Sequence, residues 1–187
     1  MLKAVLGITG ASGIVYGVRL AEELKKSGVE LHTIFTEAAK KTAKYELKEA
    51  YQRVKKVSKK IYSEEDIDGA PASGSAGFRF MVVAPCSIRT LGSIANGIAD
   101  NLLTRAALVQ LKERKKLLLI IRETPISTID IMNMLKVSLA GAIVMPASPG
   151  FYSMPETVDD MINFIVGKAL DLLDIEHNLY RRWKAEE

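Results

Sequence analysis

The chain has 187 residues, 48% of them hydrophobic and 26% charged, with a net charge of +4. That length suits one domain able to bury about two thirds of its unfolded surface, and the mild basic bias fits a small anionic ligand. Cys86 is the only cysteine, which excludes an intramolecular disulfide framework, and His32 and His177 lie far from each other and from any cluster at metal-ligand spacing.

Ala4-Val5-Leu6 reads as a buried strand, followed by the turn Gly7-Ile8-Thr9-Gly10-Ala11-Ser12-Gly13. Ile14, Val18, Ala21 and Leu24 then fall at helical spacing, with Arg19, Glu22, Glu23 and Lys26 on the other side. A glycine-rich strand-to-helix turn leaves backbone N–H groups free at a helix N-terminus, where they can hold a phosphate. The spacing G-x-x-G-x-x-G is neither the dinucleotide fingerprint nor a P-loop. A tight connection with no ligand is the plain alternative; Thr9 and Ser12, two hydroxyls expected in the same small space, favour a ligand.

Ser27-Gly28 ends the first helix, and Val29 to Phe35 reads as a second strand. Thr36 then caps a helix beginning at Glu37. An acidic residue here would hold the ribose of NAD; a hydroxyl points to a different nucleotide or contact. Eight lysines lie between Lys40 and Lys60, but glutamates adjoin them and no aromatic platform accompanies them, so a solvated face fits better than nucleic acid. Residues 45–72 carry little readable pattern before the loop Ala70-Pro71-Ala72-Ser73-Gly74-Ser75.

Phe80 to Ala84 forms a buried strand, and Ser87 opens another helix at its end. Asn101 to Lys112 is a further helix with Arg105 and Lys112 two turns apart on one face. Leu117 to Ile121 is a strand ending in Arg122-Glu123-Thr124-Pro125, charges where a parallel sheet usually presents function. Ser127 with Asp130 resembles a capping box, and Ile129, Met132 and Leu139 are expected to be the inward face of the next helix. Ala142 to Met145 is another strand, and Pro146 to Met154 a loop. A last helix turns Val158, Ile162, Ile165, Ala169 and Leu172 inward, before a tail at about 175–187 expected to pack on the body or on a neighbouring subunit.

Apolar strands alternating with helices predict an α/β fold over 1–187. This is a Rossmann-like or flavodoxin-like three-layer sandwich, a parallel sheet with helices on both faces. Ligands then sit beyond the carboxyl ends of the strands, near Ser12, Thr36, Ser87, Arg122 and Tyr152. Met1-Leu2-Lys3 leads straight into the first strand and no apolar run approaches a membrane span, so a cytoplasmic protein without signal peptide or membrane partner is expected.

Several blocks together resemble the flavin prenyltransferases, the UbiX family. They are Gly7 to Gly13 with Tyr16-Gly17, Pro71-Ala72-Ser73-Gly74-Ser75, Pro85-Cys86-Ser87, Arg105-Ala106-Ala107, Leu111-Lys112-Glu113-Arg114, Arg122 to Pro125, Pro149-Gly150-Phe151-Tyr152 and Arg182-Trp183. The resemblance implies a Rossmann-like flavoprotein that joins the dimethylallyl group of dimethylallyl monophosphate to N5 and then C6 of reduced FMN. It also implies that no metal ion is used, that the chains form a homododecamer, and that the prenylated FMN serves a UbiD-type decarboxylase.

By the same resemblance, Gly10, Ala11, Ser12, Thr36, Ser87, Thr90 and Arg122 bind FMN. Arg105, Lys112, Arg122, Tyr152, Lys168 and Trp183 meet the donor, and Ser12, Glu46, Lys112 and Glu123 take part in catalysis. A phosphate leaving group without magnesium needs cations and hydrogen-bond donors, the task assigned to Lys112, Arg122, Tyr152 and Lys168. Many relatives carry arginine at Lys168; lysine keeps the charge and loses the bidentate fork. The residues alone also admit plainer roles: a solvated Lys168, an ion-paired Glu123, a surface Glu46, a capping Ser12 and a tail-packing Trp183. Ile67 replaces a tryptophan of some relatives, which puts the prenyl pocket wall in question. Two other readings remain open: an FMN-dependent decarboxylase of cysteine-containing substrates, or an FMN carrier without turnover.

Overall fold

The structure, a computed structural model, describes residues 2–183. Six parallel strands, β1 (Lys3–Ile8), β2 (Glu30–Phe35), β3 (Lys60–Tyr62), β4 (Phe80–Cys86), β5 (Lys116–Ile121) and β6 (Ile143–Pro146), form one sheet in the order β3-β2-β1-β4-β5-β6. Among the described residues the seven α-helices are α1 (Ile14–Lys26), α2 (Glu37–Glu46), α3 (Ala50–Val57), α4 (Ile88–Ala95), α5 (Leu102–Lys112), α6 (Thr128–Leu139) and α7 (Val158–Leu172).

Alternation along each strand sends successive side chains to opposite faces. Ala4, Leu6, Ile8, Val82 and Leu118 pack with α1, α3 and α7, while Val5, Met81, Val83 and Leu119 pack with α4 and α5. Both faces are thereby covered, which is why β1, β4 and β5 read as nearly unbroken apolar runs. The chain order reverses between β1 and β4, so their carboxyl ends part and leave a crevice.

The expected inward face of α6 is an outward one. Ile129 and Leu139 are 73% and 78% exposed, Met132 is exposed as well, and the buried positions are Asp130, Asn133 and Val137. The helix is apolar on more than one side, so periodicity could not tell which side meets the body. Asn133 turns toward α4, where Asn96 Nδ2 donates to its Oδ1 at 3.5 Å. On α7, Ile162, Ile165 and Ala169 are buried as expected and Leu172 is partly so, but Val158 is exposed because it opens the helix beyond the edge of the core. The tail packs on the body through Ile175, Leu179 and Tyr180; positions 184–187 of the expected tail lie outside the described residues.

Candidate functional site at the switch point

A cleft of about 240 Å³ opens at the reversal, lined by Thr9, Gly10, Thr36, Ala38, Ser87 and Thr90, with Glu64, Arg89, Ser93, Asn101, Leu103 and Thr104 completing it. Three helix starts border it. Thr36 Oγ1 accepts from Ala39 N at 3.0 Å, Ser87 Oγ accepts from Thr90 N at 3.3 Å, and Asn101 Oδ1 accepts from Thr104 N at 2.9 Å. Each cap satisfies one orphan N–H of its turn, and at α2 Glu64 takes a second, from Glu37 N.

The β1 turn is held from two sides. Thr9 Oγ1 donates to Pro85 O at 2.7 Å and accepts from Ser87 N at 2.9 Å, locking the β1 and β4 loops together. The hydroxyl is therefore consumed, and the shared space expected for Thr9 and Ser12 does not exist: Thr9 is buried and Ser12 exposed. A Cβ at Gly10 would lie 2.6 Å from Ala38 Cβ, so only glycine lets α2 approach this close. Thr42 Oγ1 donates to Gly10 O at 2.9 Å from the same helix.

Nor are the N–H groups at the start of α1 free, as the turn had suggested. Glu46 Oε2 accepts from Gly13 N at 2.8 Å and from Ile14 N at 3.0 Å. α1 has no acidic residue in its own first turn, and the end of α2 supplies the anion that its dipole favours. Glu46 is exposed, as a surface glutamate would be, and its carboxylate also caps the start of α1. Beside it, Arg122 Nε donates to Ser12 O at 3.2 Å. Burial raises the Tyr16 phenol, and the nearby Arg122 charge opposes that shift.

At the rim, Glu123 is exposed, and its Oε1 accepts from Thr124 N at 3.1 Å; no ion pair forms with Arg122 among the described residues. Tyr152 meets the edge of Trp183, with ring centroids 5.5 Å apart, and that of Phe164 at 5.6 Å. Lys168 Nζ lies 3.8 Å from Asp171 Oδ2. Ala11 is half-buried in the turn. The structure thus gathers Gly10, Thr36, Ser87 and Thr90 in the cleft, Ser12, Glu46 and Arg122 at the α1 start, and Tyr152, Lys168 and Trp183 around α7. Arg105 and Lys112 stand apart on exposed positions of α5, where Lys112 pairs with Glu113 at 3.1 Å.

Sequence reasoning missed Glu64, whose Oε1 accepts from Glu37 N at 2.9 Å, and Asp171, the most heavily hydrogen-bonded carboxylate of the tail region. Glu64 gave no signal; Asp171 gave only a Lys–Asp spacing of three. His32 lies in β2, hydrogen-bonded to Tyr62 and Glu30, and burial lowers its tendency to protonate. No group of three or more metal-ligating side chains gathers among the described residues.

The model of the Flavoprotein family matches residues 1–170. The flavin prenyltransferase UbiX of Saccharolobus solfataricus is 48% identical over 97% of this chain and 92% of its own. The chain belongs to the flavin prenyltransferase (UbiX) family. A crystal structure of AnUbiX in complex with FMN and dimethylallyl pyrophosphate superposes with a TM-score of 0.96 at 36% identity, covering 100% of this chain and 99% of that one. A dodecameric FMN-dependent UbiX-like decarboxylase from Escherichia coli O157:H7 superposes with a TM-score of 0.94 at 40% identity, covering 97% and 99%. In this UbiX-family chain the cleft combines the close-packed glycine turn with three capped helix starts, and Arg89 and Glu64 are its charged lining residues.

Proposed function

We propose that this UbiX-family protein is one flavoprotein domain that binds FMN in the β1–β4 cleft. It transfers the dimethylallyl group of dimethylallyl monophosphate to N5 and then C6 of reduced FMN. The observation that carries the reading is the cleft itself, lined mainly by hydroxyl-bearing helix caps and a close-packed glycine turn, with Arg89 in its lining and Arg122 held at the adjoining α1 start. Family membership and the AnUbiX complex support the same assignment.

Gly10, Ala11, Ser12, Thr36, Ser87, Thr90 and Arg122 hold the flavin in this reading. Bound reduced FMN supplies the nucleophile; the residues orient it, exclude water and move protons. Ser12, exposed beside the α1 start that Glu46 caps, relays a proton near N5 in this reading. Glu123, free of any ion pair with Arg122 among the described residues, takes the role of proton carrier at the donor phosphate. Arg105, Lys112, Arg122, Lys168 and the Tyr152 hydroxyl stabilise the departing phosphate, so no metal ion is required.

Lys112 touches neither the α1 group nor the Tyr152 group among the described residues, so its part requires a neighbouring subunit. The outward apolar face of α6, with Ile129, Ile131, Met132, Leu135 and Leu139 exposed, is the surface we assign to contacts within a homododecamer. The product serves a UbiD-type decarboxylase in the cytoplasm; no helix among the described residues is long and apolar enough to cross a membrane. A decarboxylase using His32 as its acid–base group is disfavoured because that ring is buried in β2.

Phosphate release from dimethylallyl monophosphate in the presence of reduced FMN tests the assignment. Release that depends on reduced flavin and persists in a chelator supports it; no release with flavin bound would leave an FMN carrier.

A further inference from the structure

The described tail doubles back along α7 and meets it at one carboxylate. Asp171 Oδ1 accepts from His177 Nε2 at 3.1 Å and from Arg182 Nη2 at 2.8 Å, while Oδ2 accepts from the Tyr180 hydroxyl. Lys168, one turn earlier on α7, places its ammonium 3.8 Å from Oδ2. His177 Nδ1 accepts from Leu179 N at 3.1 Å, which puts the ring proton on Nε2, where it faces Asp171.

A second contact shows that the docking is built into the helix. A Cβ on Gly167 would lie 2.6 Å from Tyr180 Cδ1 and 2.7 Å from His177 Cε1. Only glycine lets the tail lie this close, in a helix interior where alanine would otherwise be favoured. Tyr180 packs on Phe164 with centroids 4.9 Å apart, Phe164 on Tyr152, and Tyr152 on Trp183. One carboxylate therefore joins Lys168 to the tail segment that carries Trp183 onto Tyr152.

We propose that Asp171 is a positioning residue for the prenyl donor: it docks the tail so that Trp183 covers Tyr152, and it restrains Lys168 until a donor phosphate draws the ammonium away. The donor's identity rests on the function proposed above; the docking does not. Burial works to raise the Asp171 carboxyl, and the bonds from Tyr180, Arg182 and His177 overcome it and hold it down at about 2, so the anion persists at working pH.

Trp183 is the only tryptophan in the chain and reports on its own tail. Its fluorescence anisotropy and the donor KM would be measured in full-length wild type, Asp171→Asn and Gly167→Ala, with thermal unfolding followed in parallel. The expected result is a fall in anisotropy in both variants with the body still folded. The donor KM should rise by about ten-fold, and kcat should change far less. Gly167→Ala undocks the tail without touching a charge, so agreement of the two variants separates positioning from simple loss of an ion pair. Native anisotropy in both variants, or a fall with KM unchanged, would overturn the proposal. A wild type that releases no donor phosphate would sink the functional reading instead, while the anisotropy still decides whether Asp171 docks the tail.

Discussion

The cleft and its rim are built on opposite principles. In the cleft, Thr9, Thr36, Ser87 and Asn101 spend their side chains on the protein's own backbone, which fixes the loops and helix starts that line it. At the rim, Glu123, Lys168 and Trp183 are exposed or held by single partners. Preorganised donors suit a flavin phosphate that must be held in one pose throughout the reaction, because they need no rearrangement when it arrives. Loosely tethered charges suit a donor that enters, passes its prenyl group to the flavin and releases phosphate, the reaction proposed above. Glu46 belongs to both: it completes α1 structurally and stands beside Ser12.

Substitutions sharpen this contrast. Rim changes should alter rate with little effect on stability. Glu123→Gln is expected to slow prenyl transfer by about a hundred-fold with flavin still bound, and Tyr152→Phe by a smaller factor, both read by single-turnover flavin spectra. Unchanged rates in both would remove those roles. Cleft changes should do the reverse. Gly10→Ala forces α2 away from the turn and should cost about 1–3 kcal/mol in urea unfolding, together with weaker flavin retention. Thr9→Val leaves Pro85 O and Ser87 N each without a hydroxyl partner and should cost about 1–2 kcal/mol. A Gly10 variant of native stability would break the distinction.

The smallest expected effect concerns Cys86. Its thiol is fully buried at the end of β4, and burial pushes its pKa far above the ordinary thiol range. Folded protein should therefore resist thiol reagents at neutral pH, and only unfolded chains should be labelled. Rapid labelling of the folded protein would mean that the β4 end opens.

Much of this molecule was legible before its structure. Five of the strands were readable, β1, β4 and β5 as apolar runs because both faces of the sheet are covered, and Thr36, Ser87 and Ser127 announced their helices by cap chemistry. β3 escaped because Lys60-Ile61-Tyr62 is a short edge strand with an exposed lysine and only Tyr62 buried. α6 was read inside out because its apolar residues have no single face within one chain. At the site, the residue types were visible, but the use of Thr9 as a staple and of Glu46 as the α1 anion depends on partners 76 and 33 residues away. Asp171 was hidden for a similar reason: its partners come from a tail that carries no periodic pattern.

The central claim, transfer of a prenyl group to flavin in this cleft, is tested most directly by the mass of the flavin. The protein would be incubated anaerobically with reduced FMN and dimethylallyl monophosphate, and the extracted flavin weighed by mass spectrometry. A gain of one isoprene unit, C5H8, is the predicted result. FMN recovered bound but unchanged would contradict the account.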